Sequence, residues 1–115
     1  MERDRRDAGE TGDGLRLFVT NEGSLSRLHV RGEIDMASAP ALGERLELLI
    51  ESGTGNVEVD MSDVTFCDST GLAALVLAYN HLRARDRVLR VIDPSVPVER
   101  LLRIVRLEHL TAGPT

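Results

Sequence analysis

Asp60-Met61-Ser62-Asp63-Val64-Thr65-Phe66-Cys67-Asp68-Ser69-Thr70-Gly71-Leu72 joins two periodicities within one short stretch. Upstream, Val57, Val59 and Met61 alternate with Glu58 and Asp60, the period of a strand with one buried face. Downstream, Leu72, Leu75, Val76, Tyr79 and Leu82 recur at helical spacing. The reading is a buried strand, a loop over Thr65–Gly71, and a helix that opens at Ser69 or Thr70. Asp68, Ser69 and Thr70 are all residue types that begin helices, because their side-chain oxygens accept from unpaired first-turn N–H groups.

Working outward, Leu15-Arg16-Leu17-Phe18-Val19 is rich in strand formers, and Asn21-Glu22-Gly23 supplies turn chemistry. Leu28-His29-Val30-Arg31 alternates, so the two runs predict an opening hairpin. Gly32-Glu33-Ile34-Asp35-Met36 is expected to break the second strand. Ser38 then reads as a helix cap with Pro40 in the first turn. Leu42, Leu46, Leu49 and Ile50 form the stripe of that helix, ended by Gly53 and Gly55. Val88-Leu89-Arg90-Val91-Ile92 is apolar on both faces, which predicts a central or well-covered strand. Asp93-Pro94-Ser95 reads as a turn with a capping serine. Val98, Leu101, Leu102 and Val105 read as the stripe of a third helix, with a dimer face as the alternative for some of them. Leu107–Leu110 is a last strand or a terminal turn.

The order β-β-α-β-α-β-α predicts a single α/β domain. Its mixed sheet has four to five strands with an opening hairpin, packed with three to four helices through right-handed crossovers. The pattern leaves open whether the helices cover one face of the sheet or both. Residues 1–13 read as a disordered charged tail and 14–112 as the domain.

The chain has 115 residues, enough for one core without disulfides or metal. Its formal charge of −5 disfavours a nucleic-acid backbone or an anionic membrane as partner. Aromatics are confined to Phe18, Phe66 and Tyr79, too few for base-stacking platforms. Cys67 is the single cysteine; it fits a reducing, cytoplasmic setting and reads as packing rather than as a redox centre. His29, His81 and His109 have no ligand spacing, so no metal is expected, and the absence of a phosphate-cradling glycine loop argues against a nucleotide cofactor. Arg83, Arg85, Arg87 and Arg90 read as a solvated helix end, with partner binding as the alternative.

The segment Phe66-Cys67-Asp68-Ser69-Thr70-Gly71-Leu72 resembles the signature of the STAS-domain anti-sigma factor antagonists, an aliphatic strand followed by aspartate-serine-serine/threonine-glycine-leucine. Gly32-Glu33-Ile34-Asp35 resembles that family's glycine-glutamate-aliphatic-aspartate loop, and Asp93–Val98 falls where the family has a loop and a helix. The resemblance spans about residues 15–110. It implies a non-enzymatic switch that binds an anti-sigma factor serine kinase when unphosphorylated and so frees a sigma factor. Phosphorylation would fall on Ser69, with Thr70 a lesser candidate, and a PPM-type phosphatase would reset it. Glu33, Asp35, Asp68, Ser69, Thr70 and Gly71 would form the docking face, with Asp35 close to Ser69 and Asp68 orienting the serine hydroxyl. A phosphate at a helix start meets unpaired N–H groups, and Gly71 is expected to leave the approach open. Two other readings compete. One is a structural STAS subunit of a signalling assembly or membrane transport complex. The other is a hydrolase using Ser69, which has no well-placed histidine and lacks the G-x-S-x-G elbow.

Overall fold

The computed structural model describes residues 9–10 and 14–111. Five strands lie side by side in chain order: β1 (Gly9–Glu10), β2 (Leu15–Glu22), β3 (Leu25–Ile34), β4 (Val57–Cys67) and β5 (Leu89–Ile92). The first three are antiparallel, and β3, β4 and β5 are parallel. Three helices, α1 (Ala39–Ser52), α2 (Ser69–Arg83) and α3 (Val96–Ile104), follow β3, β4 and β5, and Glu108–Leu110 forms a closing 3-10 turn. The α/β class, the mixed sheet and the opening hairpin are as expected.

Successive parallel strands laid down in one direction through right-handed crossovers put both crossover helices on the same face, and α1 and α2 indeed pack against each other. Gly43 on α1 faces Ala74 on α2, and the seam continues through Glu47 with His81 at 2.8 Å and Glu51 with Arg85 at 2.9 Å. Leu28, Val30, Val57, Val59, Leu89 and Val91 turn toward the helices and join Leu42, Leu46, Leu75, Leu82, Val98 and Leu102 in one core. The alternate residues form a polar opposite face. There Glu58 sits between Arg27 (2.8 Å) and Arg90 (2.7 Å), and His29 stacks on Phe18 and lies 3.2 Å from Asp60.

Several local expectations are corrected. β3 does not break at Gly32 but continues to Ile34, its pairing with β4 shifted by irregularities after His29 and Gly32. Gly32 makes this possible: its φ is 110°, and a Cβ there would lie 1.9 Å from the Gly14 carbonyl oxygen, so only glycine passes. β4 runs through Cys67, so the expected seven-residue loop shrinks to Asp68 alone. Of the two expectations for β5, central or well-covered, the second holds: it is an edge strand, with Leu89 and Val91 in the core and Arg90 and Ile92 half-buried. Gly9 and Glu10, expected in the disordered tail, pair with Leu17 and Arg16 at the open edge of β2, and the rest of residues 1–13 lies outside the described residues. Ser38 and Ser95 stand at helix starts, but neither side chain caps. Val105 is exposed at the end of α3 rather than in its buried stripe.

Candidate functional site

Parallel strands deliver their C-terminal ends to one rim of the sheet, where ligands and partners of open α/β sheets commonly bind. The Asp68 N–H donates to the Ile34 carbonyl at 3.1 Å, locking the ends of β3 and β4 together. Ile34 is followed by Asp35 and Asp68 by Ser69, so this bond makes neighbours of the two segments that the sequence singled out.

Asp68 caps α2. Its Oδ1 accepts from the Thr70 N–H at 2.9 Å and from the Thr70 hydroxyl. These bonds, the Thr70 hydroxyl foremost, hold the Asp68 carboxyl below the usual aspartate range. The carboxylate therefore engages Thr70 and not Ser69, contrary to the expectation that it orients the serine. Ser69 occupies the first helical position, exposed, and no described residue hydrogen-bonds its hydroxyl. The two hydroxyls thus differ: that of Thr70 is half-buried and committed, that of Ser69 open.

Across the rim, Asp35 closes a turn. Its Oδ1 accepts from the N–H groups of Ala37 (3.0 Å) and Ser38 (3.1 Å). The buried Ser38 hydroxyl ties the same turn by donating to the Glu33 carbonyl at 2.9 Å and accepting from the Asp35 N–H at 3.0 Å. That is why Ser38 leaves α1 uncapped. Glu33 is exposed at the end of β3, beside Phe66 of β4. Gly71 departs from its expected role. It is buried, and a Cβ there would meet Ile34 Cγ2 at 2.6 Å and Cys67 Sγ at 2.8 Å. The glycine lets α2 seat against β3; it does not open a path from solvent. Burial, helped by the charge of Asp68, pushes the Cys67 thiol up to about 11, which suits a packed and inert side chain.

The structure brings together Asp35, Asp68, Ser69 and Thr70 at the joined ends of β3 and β4, with Gly71 buried beneath them; Glu33 is exposed at the same end of the sheet, with its carboxyl toward Gly14. It adds residues the sequence reading left out. Met36, Ala39, Pro40, Gly43, Glu47, Thr70, Ala74 and Leu77 line a mostly apolar groove between α1 and α2. Met36 is 76% exposed and Leu77 54%. The available signal was Leu77 itself, an apolar residue off the stripe of Leu72, Leu75, Val76, Tyr79 and Leu82. The basic run is not gathered here. Arg85 binds Glu51, Arg90 binds Glu58, and Arg87 donates to the Gly55 and Ile50 carbonyls. Among the described residues no cluster of three or more His, Cys, Asp or Glu could hold a metal ion, and no helix is long and apolar enough to cross a membrane.

A family model described as "Mlab, STAS domain" matches residues 17–112. The chain belongs to the STAS domain family. The anti-sigma-B factor antagonist of Staphylococcus aureus (strain NCTC 8325 / PS 47) is 30% identical over 96 residues, covering 84% of this chain and 89% of that protein. An anti-sigma factor antagonist from Mycobacterium paratuberculosis superimposes with a TM-score of 0.77 at 28% identity, over 90% of this chain and 88% of the other. The anti-sigma factor antagonist SpoIIAA shares the fold in its unphosphorylated form, with a TM-score of 0.74 at 16% identity over 86% and 88% of the two chains. Its phosphorylated form from Bacillus gives 0.68 at 13% identity over 86% and 91%.

Proposed function

We propose that the chain is a cytoplasmic anti-sigma factor antagonist switched by phosphorylation at Ser69. The observation that carries this reading is the asymmetry of the two hydroxyls at the start of α2: Ser69 is exposed and has no hydrogen-bond partner among the described residues, whereas Thr70 is held by Asp68. The names of its relatives support the class of function, and the rim geometry supports the switch. In its unphosphorylated form the rim of Glu33, Asp35, Asp68, Ser69 and Thr70 docks an anti-sigma factor serine kinase and so frees the sigma factor. The kinase transfers the terminal phosphoryl group of ATP to the Ser69 hydroxyl. The hydroxyl proton leaves to solvent or a kinase base, and ADP departs. A PPM-type phosphatase hydrolyses the phosphoserine and restores the binding form.

The energetics favour release without unfolding. The phosphate adds about −1.5 to −2 charges beside Asp35 and Asp68. It also sits at a helix start whose first turn holds no acidic residue, where the dipole and unpaired N–H groups favour an anion. The interface meets the repulsion while the fold accommodates the charge. Each factor of ten in affinity needs only about 1.4 kcal/mol, so one misplaced phosphate suffices to release a partner.

The test uses Ser69→Ala and Ser69→Glu baits in lysate of the source organism, with bound proteins identified by mass spectrometry. The alanine bait is expected to retain an ATPase-fold kinase that the glutamate bait loses. Retention of the same transport or scaffold proteins by both baits would point to a structural subunit instead.

A further inference from the structure

We propose that the outward stripe of α3, formed by Val96, Arg100, Arg103 and Ile104, is a second docking surface. Its occupant is a protein segment that carries Asp or Glu around apolar side chains. None of these four residues belongs to the Ser69 rim or lines the groove between α1 and α2, and the proposal does not rest on the Ser69 reading. Val98 and Leu102 are buried in the core. Positions 96, 100, 103 and 104, at helical spacing from one another, therefore share the opposite side of α3. Val96 is 63% exposed and Ile104 70%, second only to Met36 among the exposed large hydrophobics of the described residues. The way the chain leaves α3 explains why Ile104 stays outside. Arg106 takes φ 61°, the Leu107 N–H returns to the Leu102 carbonyl at 2.8 Å, and Leu110 is buried with Leu107 packed against the core. Leu107 and Leu110 thus do the covering that Ile104 and Val105 would otherwise do. Exposed apolar surface gathered in one place marks contact sites more often than scattered single residues do.

Charge decides the occupant. Elsewhere the arginines are engaged: Arg27 and Arg90 hold Glu58, Arg31 holds Asp63, Arg85 holds Glu51, and Arg87 donates to two carbonyls. Among the described residues, no hydrogen bond or ion pair engages the side chains of Arg100, Arg103 or Arg106, all three exposed. Glu99 and Glu108 are the only acids between positions 96 and 111, and neither pairs with these arginines. A chain of formal charge −5 therefore carries a local cationic patch with apolar ends. Arginine beside apolar side chains is the composition of interface centres, and free guanidinium groups select acid. A second copy docked α3 on α3 would bring arginine near arginine. A bilayer or a nucleic acid, being extended and anionic, would also meet the acidic remainder of the chain. A short acidic segment meets the stripe alone.

The experiment puts a photo-crosslinking residue on the stripe. The full chain carrying Ile104→p-benzoylphenylalanine is irradiated in cells of the source organism, and the attached peptide is sequenced by mass spectrometry. That peptide is expected to hold apolar residues flanked by Asp or Glu. Adding Arg100→Glu/Arg103→Glu is expected to lower the crosslink at least about tenfold, because like charges then face each other across the contact. Reversing the captured segment's acids to Arg is expected to restore it. Both arginines are exposed, so the variant folds, and its far-UV circular dichroism and melting midpoint check this. Retention of the ATPase-fold kinase by the Ser69→Ala bait is expected to be unchanged by the charge reversal, so the stripe and the Ser69 switch stand or fall separately. Loss of the kinase on charge reversal would make the stripe part of the first docking face and overturn the proposal. A crosslink to a lipid, to a nucleic acid or to a second copy of the chain would overturn it too. So would a peptide without acids, a crosslink indifferent to charge reversal, or no crosslink at all.

Discussion

At Gly71 the absence of a side chain is a packing requirement. An added methyl would press on Ile34 Cγ2 at 2.6 Å and Cys67 Sγ at 2.8 Å, both on strands that cannot move independently of the sheet. Gly71→Ala is expected to destabilise the domain by about 1–3 kcal/mol, measured by urea unfolding, even though alanine is the better helix former. An unchanged or raised midpoint would show that α2 is not seated as described. Asp68 and Thr70 illustrate the reach of sequence reading at this scale. Their residue types announced a helix start, but not which hydroxyl the carboxylate would hold, because that depends on the φ and ψ of the cap (−108° and −172° at Asp68). The resemblance identified the serine; only geometry separates its free hydroxyl from the committed one next door.

At the level of elements, β3, β4 and β5 are tied across the outer face by Glu58, which accepts from Arg27 at 2.9 Å and Arg90 at 2.7 Å. Burial alone would raise the Glu58 carboxyl, but the two guanidinium groups outweigh it and hold the group below the usual glutamate range. A carboxyl lowered in the folded state adds stability that is present above its unfolded value of about 4.3 and lost as pH falls through the folded value. Glu58→Gln is therefore expected to cost about 2 kcal/mol at pH 7. The gap from wild type should narrow below about pH 4. A gap independent of pH, in thermal melts across that range, would mean the ladder contributes no charge-dependent stability. Element types were legible from alternation and helical spacing; element ends were not. Phe66 and Cys67 extend β4 against the expectation of a loop, since the pairings Glu33 with Phe66 and Ile34 with Cys67 continue the sheet. α2 and α3 are followed by left-handed residues of the wrong type to notice, Asp86 with φ 59° and Arg106 with φ 61°. Arg87 and Leu107 close back on the Leu82 and Leu102 carbonyls at 2.9 Å and 2.8 Å, the geometry that glycine usually signals.

For the whole molecule, the proposed switch is separate from the fold. Phosphorylation alters the charge of one rim, while the core of α1, α2, α3 and the sheet lies beneath it. Ser69→Glu is expected to keep the far-UV circular dichroism of wild type and to change stability by no more than about 1 kcal/mol, because an acid in the first turn of a helix is weakly favourable and Asp35 and Asp68 offset part of that gain. Loss of helical signal would make the switch an unfolding event. The edge position of β5 also belongs to this scale. Its apolar character resembles that of a central strand, yet α2 and the closing 3-10 turn rather than a further strand supply its cover, and no local pattern encodes that substitution.

The most direct test of the central claim is to map the phosphate. The kinase captured by the unphosphorylated protein is incubated with it and Mg·ATP, and the modified residue is located by fragmentation mass spectrometry. One phosphate per chain is expected, on Ser69, with Thr70 unmodified and incorporation abolished in Ser69→Ala. Phosphate on Thr70, or undiminished incorporation in Ser69→Ala, would contradict it.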